Sequence, residues 1–90
     1  MDNRIREILI ITQEEAGEVI QEIAKCFRFG IDGTHKSGES HREMLTQEVG
    51  DLMLMCDLLV EAGVITQAGI TAAKQRKRDK LHQWSNIFSE

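Results

Sequence analysis

The absence of proline from all 90 residues constrains the fold of this chain more than any other feature. Proline ends or kinks helices, so a chain without it favours long, uninterrupted helices. The sequence also lacks tyrosine and has only 4% aromatic residues, a composition that argues against a β sandwich. Hydrophobic residues make up 41%, which is enough for a core. We therefore predict one all-α domain over residues 1–90.

The charge balance argues against several kinds of partner. With 11 basic and 15 acidic residues the formal charge is −4, whereas nucleic-acid-binding proteins usually need a broad positive surface. The longest apolar runs, at residues 8–11 and 52–56, are too short to cross a bilayer, and no signal-peptide pattern opens the sequence. We expect a cytoplasmic protein that binds neither nucleic acid nor membrane. Cys26 and Cys56 lie within apolar helical patterns and are interpreted as reduced core residues.

Apolar residues at three- and four-residue steps predict the first two helices. The first covers residues 3–29, although a capping-box pattern at Thr12 leaves a break there open. The second begins after Ser40, a cap residue, and ends before Gly63. Three glycines in residues 30–40 place a loop between these helices, and its length favours a flexible, functional segment.

A third helix is predicted over residues 67–84, after the cap residue Thr66, and is followed by a frayed tail at 85–90. Its apolar stripe is thin, and three helices of this size close a core poorly. The apolar face of the second helix is wide. We therefore expect a homodimer or homotetramer, in which another chain completes a four-helix-type bundle.

Two acidic pairs indicate where chemistry would take place. Glu15 and Glu18 are three residues apart on the first helix, and Glu48 and Asp51 have the same spacing on the second. Residues at this spacing share a helix face, so each pair projects two carboxylates in one direction. Glu22, four residues after Glu18, extends the first pair.

Both pairs lie beside an apolar stripe rather than on a fully polar face. Carboxylates near a core are costly unless cations or hydrogen bonds compensate them. If two antiparallel helices bring the four carboxylates together, metal ions neutralise the charge most readily, and all-oxygen ligation favours Mg²⁺, with Mn²⁺ also possible. Glutamate is also a good helix former, so either pair alone would more often be an ordinary solvated face.

Basic residues supply the opposite charge. Lys74 and Lys77 lie on or near the thin apolar stripe of the third helix, and a lysine on an inward face favours an anion, although it can equally extend past the core to water. A phosphate held by metal ions would be such an anion. Other candidates to contact phosphate follow the first acidic pair: Lys25, Arg28, His35 and Lys36. The histidines do not have zinc-site spacing with the cysteines.

The sequence resembles the all-α nucleoside triphosphate pyrophosphohydrolases, the superfamily of MazG, the dimeric dUTPases and the dCTP pyrophosphatases. The resemblance covers roughly residues 12–80. The residues around the acidic motifs are similar to those of small MazG-like proteins, many of them phage-encoded. It rests on the order and context of the two acidic motifs. The matching segments are Glu14-Glu15-Ala16-Gly17-Glu18, Phe27-Arg28-Phe29-Gly30, Gln47-Glu48-Val49-Gly50-Asp51 and Lys74-x-x-Lys77. The asparagine-containing third-helix motif of the dimeric dUTPases is absent, which argues against dUTP as the substrate.

The resemblance implies hydrolysis of a nucleoside triphosphate to the monophosphate and pyrophosphate. It implies Mg²⁺ held by four carboxylates: Glu15, Glu18, Glu48 and Asp51. Glu15 or Glu22 would accept the proton of the attacking water. The substrate would be bound by Lys74 and Lys77, with Lys25 and Arg28 as further phosphate ligands and Trp84 as a surface for base stacking, although a lone tryptophan at a helix end more often packs.

The alternative hypothesis is a non-catalytic, acidic helical module that assembles with itself or with another protein. It predicts no stabilisation by divalent ions. A family member that binds nucleotide without hydrolysing it is a third possibility. The sequence does not indicate which base and sugar the nucleotide would carry.

Overall fold

In the computed structural model, which describes residues 1–89, the chain is all-α over that range, with three helices and no strands. The helices are α1 (Asn3–Phe29), α2 (His41–Glu61) and α3 (Gln67–Trp84). These bounds confirm the helices predicted from the apolar spacing. Helix α1 continues through Thr12, whose hydroxyl donates to the carbonyl of Ile8 at 2.7 Å instead of capping a new helix.

Each helix begins at a cap residue, and Ser40 and Thr66 are the caps that the sequence predicts. Asp2, Ser40 and Thr66 each accept a hydrogen bond from the backbone N–H three residues later, at 2.7, 3.1 and 3.0 Å. Such bonds satisfy N–H groups that a helix leaves without an internal partner. Past the end of α2, Gly63 has φ 75°, a left-handed conformation that glycine adopts at little cost.

Helices α1 and α2 pack against each other as an antiparallel hairpin. Along the seam between them, the buried core lies at the end far from the loop and consists of Ile8, Met55 and Leu59. Helix α3 makes no comparable contact with either helix in the described part of the chain. Three buried apolar side chains form a small core, so this hairpin leaves much apolar surface uncovered.

The described chain is flat and expanded. It measures 41 × 37 × 14 Å, and its radius of gyration is 16.0 Å, whereas a compact chain of this length is expected near ~12 Å. Large apolar side chains are exposed on both helices of the hairpin and on the tail; they include Ile20, Ile23, Phe27, Met53, Leu54 and Ile87. Cys26 and Cys56 are free thiols, as predicted, but only half-buried. None of the described helices combines the length and apolar character needed to cross a bilayer.

The loop between α1 and α2 is fastened to the helices at both ends. The Arg42 guanidinium donates to both carboxylate oxygens of Asp32, at 2.9 and 3.2 Å. Gly33 lies so close to the end of α1 that a Cβ atom there would clash with the Phe29 carbonyl oxygen. The Gly33 carbonyl in turn accepts from the backbone N–H of His41 at 2.9 Å. These contacts fix the start of α2 against the end of α1.

Candidate metal centre

Three carboxylates from the two helices converge in the middle of the α1–α2 seam. One oxygen each from Glu15, Glu48 and Asp51 lies within 4.8 Å of the others. Glu15 and Glu48 are half-buried and Asp51 is exposed, so the cluster opens to solvent on one side. A donor set made only of carboxylate oxygens fits hard cations such as Mg²⁺. The residues present therefore fit the metal that the sequence predicts.

Glu18, the fourth predicted ligand, lies outside this group of three. Its side chain is exposed on α1, one turn from Glu15. The negative charge of Glu18 still acts on the Glu48 carboxyl of the cluster. Partial burial raises the pKa of the Glu48 carboxyl above its usual value, and neighbouring carboxylates raise it further. In decreasing order of effect, these carboxylates are Glu18, Asp51, Glu15 and Glu22.

Glu22, predicted as one of two proton acceptors, is buried and already has a partner. Its Oε1 atom lies 2.8 Å from Nδ1 of His41, and both side chains are almost completely buried. An ionised carboxylate only accepts hydrogen bonds, so Nδ1 of His41 carries the proton of this bond. Lys25 lies on the other side, with Nζ 3.9 Å from Oε2 of Glu22. Glu22 therefore organises the seam next to the cluster.

The predicted substrate-binding residues fall into two groups. Lys25 is half-buried and lines a cavity beside the Glu22–His41 pair. Arg28 is exposed and lies over the Phe29 ring, with 5.1 Å between its guanidinium carbon and the ring centroid. The other three predicted residues lie on α3, away from the hairpin.

The α3 residues are not brought to the acidic cluster within one chain. Lys74 and Lys77 are exposed, which differs from the inward position that the helical wheel predicts for Lys77. They line a groove of about 590 Å³ together with Leu81 and Phe88. Trp84 is 82% exposed. The prediction for Lys77 required the apolar stripe of α3 to face the hairpin. Because α3 does not pack against the hairpin, Lys77 is exposed.

His41 is the residue of this region that the sequence analysis missed, because it was considered only as a zinc ligand. A signal was present. Glu22 follows Glu15 by seven residues and His41 precedes Glu48 by seven residues, which is about two helical turns in each case. Once an antiparallel hairpin places Glu15 opposite Glu48, it also places Glu22 opposite His41.

Comparisons with known proteins give no further constraint on this site. The sequence matches no family model, no curated protein and no solved structure.

Proposed function

We propose that the chain is a Mg²⁺-dependent nucleoside triphosphate pyrophosphohydrolase that works as a homo-oligomer. The observation that carries this proposal is the convergence of Glu15, Glu48 and Asp51 within 4.8 Å. The resemblance of the acidic motifs to the all-α pyrophosphohydrolases supports the same function.

The electrostatics of the cluster also support a cation there. The raised pKa of Glu48 reflects carboxylates that repel one another in a partly buried place. A divalent cation relieves this repulsion, and Glu18, one turn away, adds negative charge that favours it. When bound, Mg²⁺ would offset the charge of the phosphates and lower the pKa of a water ligand.

The protein groups then have distinct roles in the hydrolysis. Glu15 is the proton acceptor for the attacking water, since Glu22 is engaged by His41. Lys25 is placed to contact the phosphates, because it is half-buried on the same face of α1 as the acidic residues. The reaction breaks the bond between the α-phosphorus and the bridging oxygen, and pyrophosphate leaves with that oxygen.

The proposed oligomer follows from the surface of the single chain. Its accessible surface is 7130 Å², whereas a compact monomer of this mass exposes ~5,300 Å². The excess of about 1,800 Å² is larger than the ~800 Å² that each partner contributes to a standard interface. A second copy covering the exposed apolar stripe of Ile20, Ile23 and Phe27 would complete a bundle.

Lys74 and Lys77 can then act on the substrate only from a second copy, because α3 lies away from the hairpin in its own chain. The same uncovered surface favours the alternative function, an acidic module that assembles without catalysis. The two functions differ in what they require of the carboxylates. The hydrolase needs them for turnover, whereas the module does not.

The deciding experiment measures pyrophosphate release from a panel of deoxynucleoside triphosphates with Mg²⁺. We expect turnover of at least one substrate, and a loss of at least a hundredfold in Glu48→Gln. Glu61→Gln is the matched control, because it removes an exposed carboxylate at the far end of α2. Turnover that is absent, or that Glu48→Gln leaves unchanged, would exclude the hydrolase and leave the module or a chain that binds nucleotide without hydrolysing it.

Oligomerisation is tested separately by light scattering coupled to gel filtration. Phe27, 89% exposed, is the variant site. We expect Phe27→Asp to shift the protein from a dimer or tetramer towards the monomer, because it places a charge in the apolar interface. A wild-type chain that is monomeric at micromolar concentration would contradict the oligomer.

A further inference from the structure

The cavity beside the acidic cluster has the features of a ligand pocket. It has a volume of about 430 Å³ and lies between the end of α1 and the loop, at the start of α2. Its lining combines two lysines, two histidines, a hydroxyl and one aromatic ring, contributed by Lys25, Phe29, Thr34, His35, Lys36 and His41. No carboxylate is among these lining residues, and the neighbouring Glu22 is engaged by His41 and lies 3.9 Å from Nζ of Lys25.

His41 supplies a ring nitrogen that has no hydrogen-bond partner in the described part of the chain. Its side chain is only 3% exposed, and Nδ1 is bonded to Glu22. The second ring nitrogen, Nε2, has no hydrogen bond within residues 1–89. Every fully buried side-chain nitrogen or oxygen in that range does have a partner, so Nε2 is not fully buried. Nε2 is therefore accessible, and the cavity that His41 lines is where it is reached.

The ring is also held rigidly in this position. Phe29 stacks on it with 5.5 Å between ring centroids and an interplanar angle of 14°, and His35 meets it edge-on at 6.2 Å. Together with the bond to Glu22, these contacts fix the direction in which Nε2 faces. A rigid ring beside two lysines is a preorganised partner for an anion, since little side-chain freedom is lost on binding.

We propose that this cavity is a pocket for phosphate-type oxyanions, in which Lys25 and Lys36 supply the charge and His41 Nε2 donates a hydrogen bond. A ring that donates from Nδ1 to Glu22 and from Nε2 to the anion carries a proton on each nitrogen. His41 precedes Glu48, a member of the acidic cluster, by seven residues, which is ~10.5 Å along α2. This pocket therefore lies beside the cluster, and it would hold the pyrophosphate end of the substrate of the proposed hydrolase, on which this assignment rests.

The test uses inorganic pyrophosphate and the full chain with EDTA, so that metal binding plays no part. Isothermal titration gives the affinity, and ¹⁵N spectra of the histidine rings report on the binding site. We expect binding that shifts Nε2 of His41 more than Nδ1, and an affinity lowered about tenfold or more in Lys36→Gln. Lys80→Gln, an exposed lysine of α3 outside both proposed sites, should change the affinity less than twofold.

Further variants separate this pocket from the metal centre and from a structural role of His41. Glu48→Gln should leave pyrophosphate binding in EDTA within twofold, whatever it does to turnover. His41→Gln should weaken binding about tenfold; because this change also removes a buried pair, the exposed Lys36 variant decides the matter if His41→Gln does not fold.

Three results would overturn the pocket. These are no binding of pyrophosphate at millimolar concentration, an equal loss in Lys36→Gln and Lys80→Gln, and a deoxynucleoside without phosphate that binds as tightly as pyrophosphate. The last would make it a pocket for an aromatic base. Pyrophosphate binding without turnover would support the pocket and exclude the hydrolase. Turnover without pyrophosphate binding in EDTA would support the hydrolase and exclude the pocket.

Discussion

Nδ1 of His41 lies 2.8 Å from Oε1 of Glu22, and this buried contact joins residues that are 19 positions apart in the sequence. It closes the α1–α2 hairpin at the end near the loop. The apolar core of Ile8, Met55 and Leu59 closes the other end. The acidic cluster lies between these two fixed points, so its geometry depends on both.

Removing one partner of this pair should destabilise the fold strongly. We expect Glu22→Ala to lower the free energy of unfolding by about 3 kcal/mol, because it leaves a buried imidazole without its hydrogen-bond partner. Urea denaturation measures the change. Asp32→Ala breaks the exposed pair with Arg42 and is the matched control, with a much smaller expected cost because solvent screens that pair. Equal costs for the two variants would show that burial of the Glu22–His41 pair has no energetic consequence.

Neutralising Glu48 should stabilise the metal-free protein at neutral pH. The raised pKa of Glu48 means that the folded state binds this proton more tightly than the unfolded state. The penalty is absent below the unfolded pKa, grows as pH rises through the folded pKa and is constant above it.

We therefore expect Glu48→Gln to be more stable than the wild type at pH 7 by up to about 1 kcal/mol, and equal to it near pH 3. Thermal melts in EDTA across this range provide the measurement. A variant that is less stable than the wild type at pH 7 would contradict the mutual repulsion of the carboxylates.

Magnesium should stabilise the wild-type chain. At a free Mg²⁺ concentration tenfold above Kd, binding to the folded state adds about 1.4 kcal/mol, which raises Tm by roughly 6 °C for a domain of this size. Scanning calorimetry with Mg²⁺ and with EDTA measures the shift. Glu48→Gln should abolish it and Glu61→Gln should retain it. The same rise in Tm in the wild type and in both variants would show that Mg²⁺ binds outside the acidic cluster.

An alanine at position 33 should disturb the loop. Its Cβ atom would clash with the backbone carbonyl of Phe29, so the segment before α2 must move and strain the approach of His41. We expect Gly33→Ala to lower Tm by about 5–10 °C, corresponding to 1–2 kcal/mol. Gly50→Ala is the control, because nothing lies within 4 Å of its Cβ position and alanine favours a helix by ~1 kcal/mol. A destabilised Gly50 variant would instead indicate close packing by a second chain.

The sequence alone determined the helices and their bounds. Caps such as Ser40 and Thr66 and the apolar spacing act over three or four residues, so they can be interpreted without knowing the rest of the fold. The spacing of Glu15 to Glu18 and of Glu48 to Asp51 likewise predicts which carboxylates share a helix face. That these pairs would meet was a hypothesis about two helices, and the structure brings Glu15, Glu48 and Asp51 together.

Only the tertiary structure decided the long-range pairs. The Glu22–His41 contact, the cavity next to it and the exposed position of Lys77 depend on how α1, α2 and α3 are placed relative to one another. That placement results from the register of the hairpin and from which apolar stripes find a partner. Local hydrogen bonds and helix propensity do not contain this information, because an amphipathic stripe indicates that a face is to be covered but not by which element.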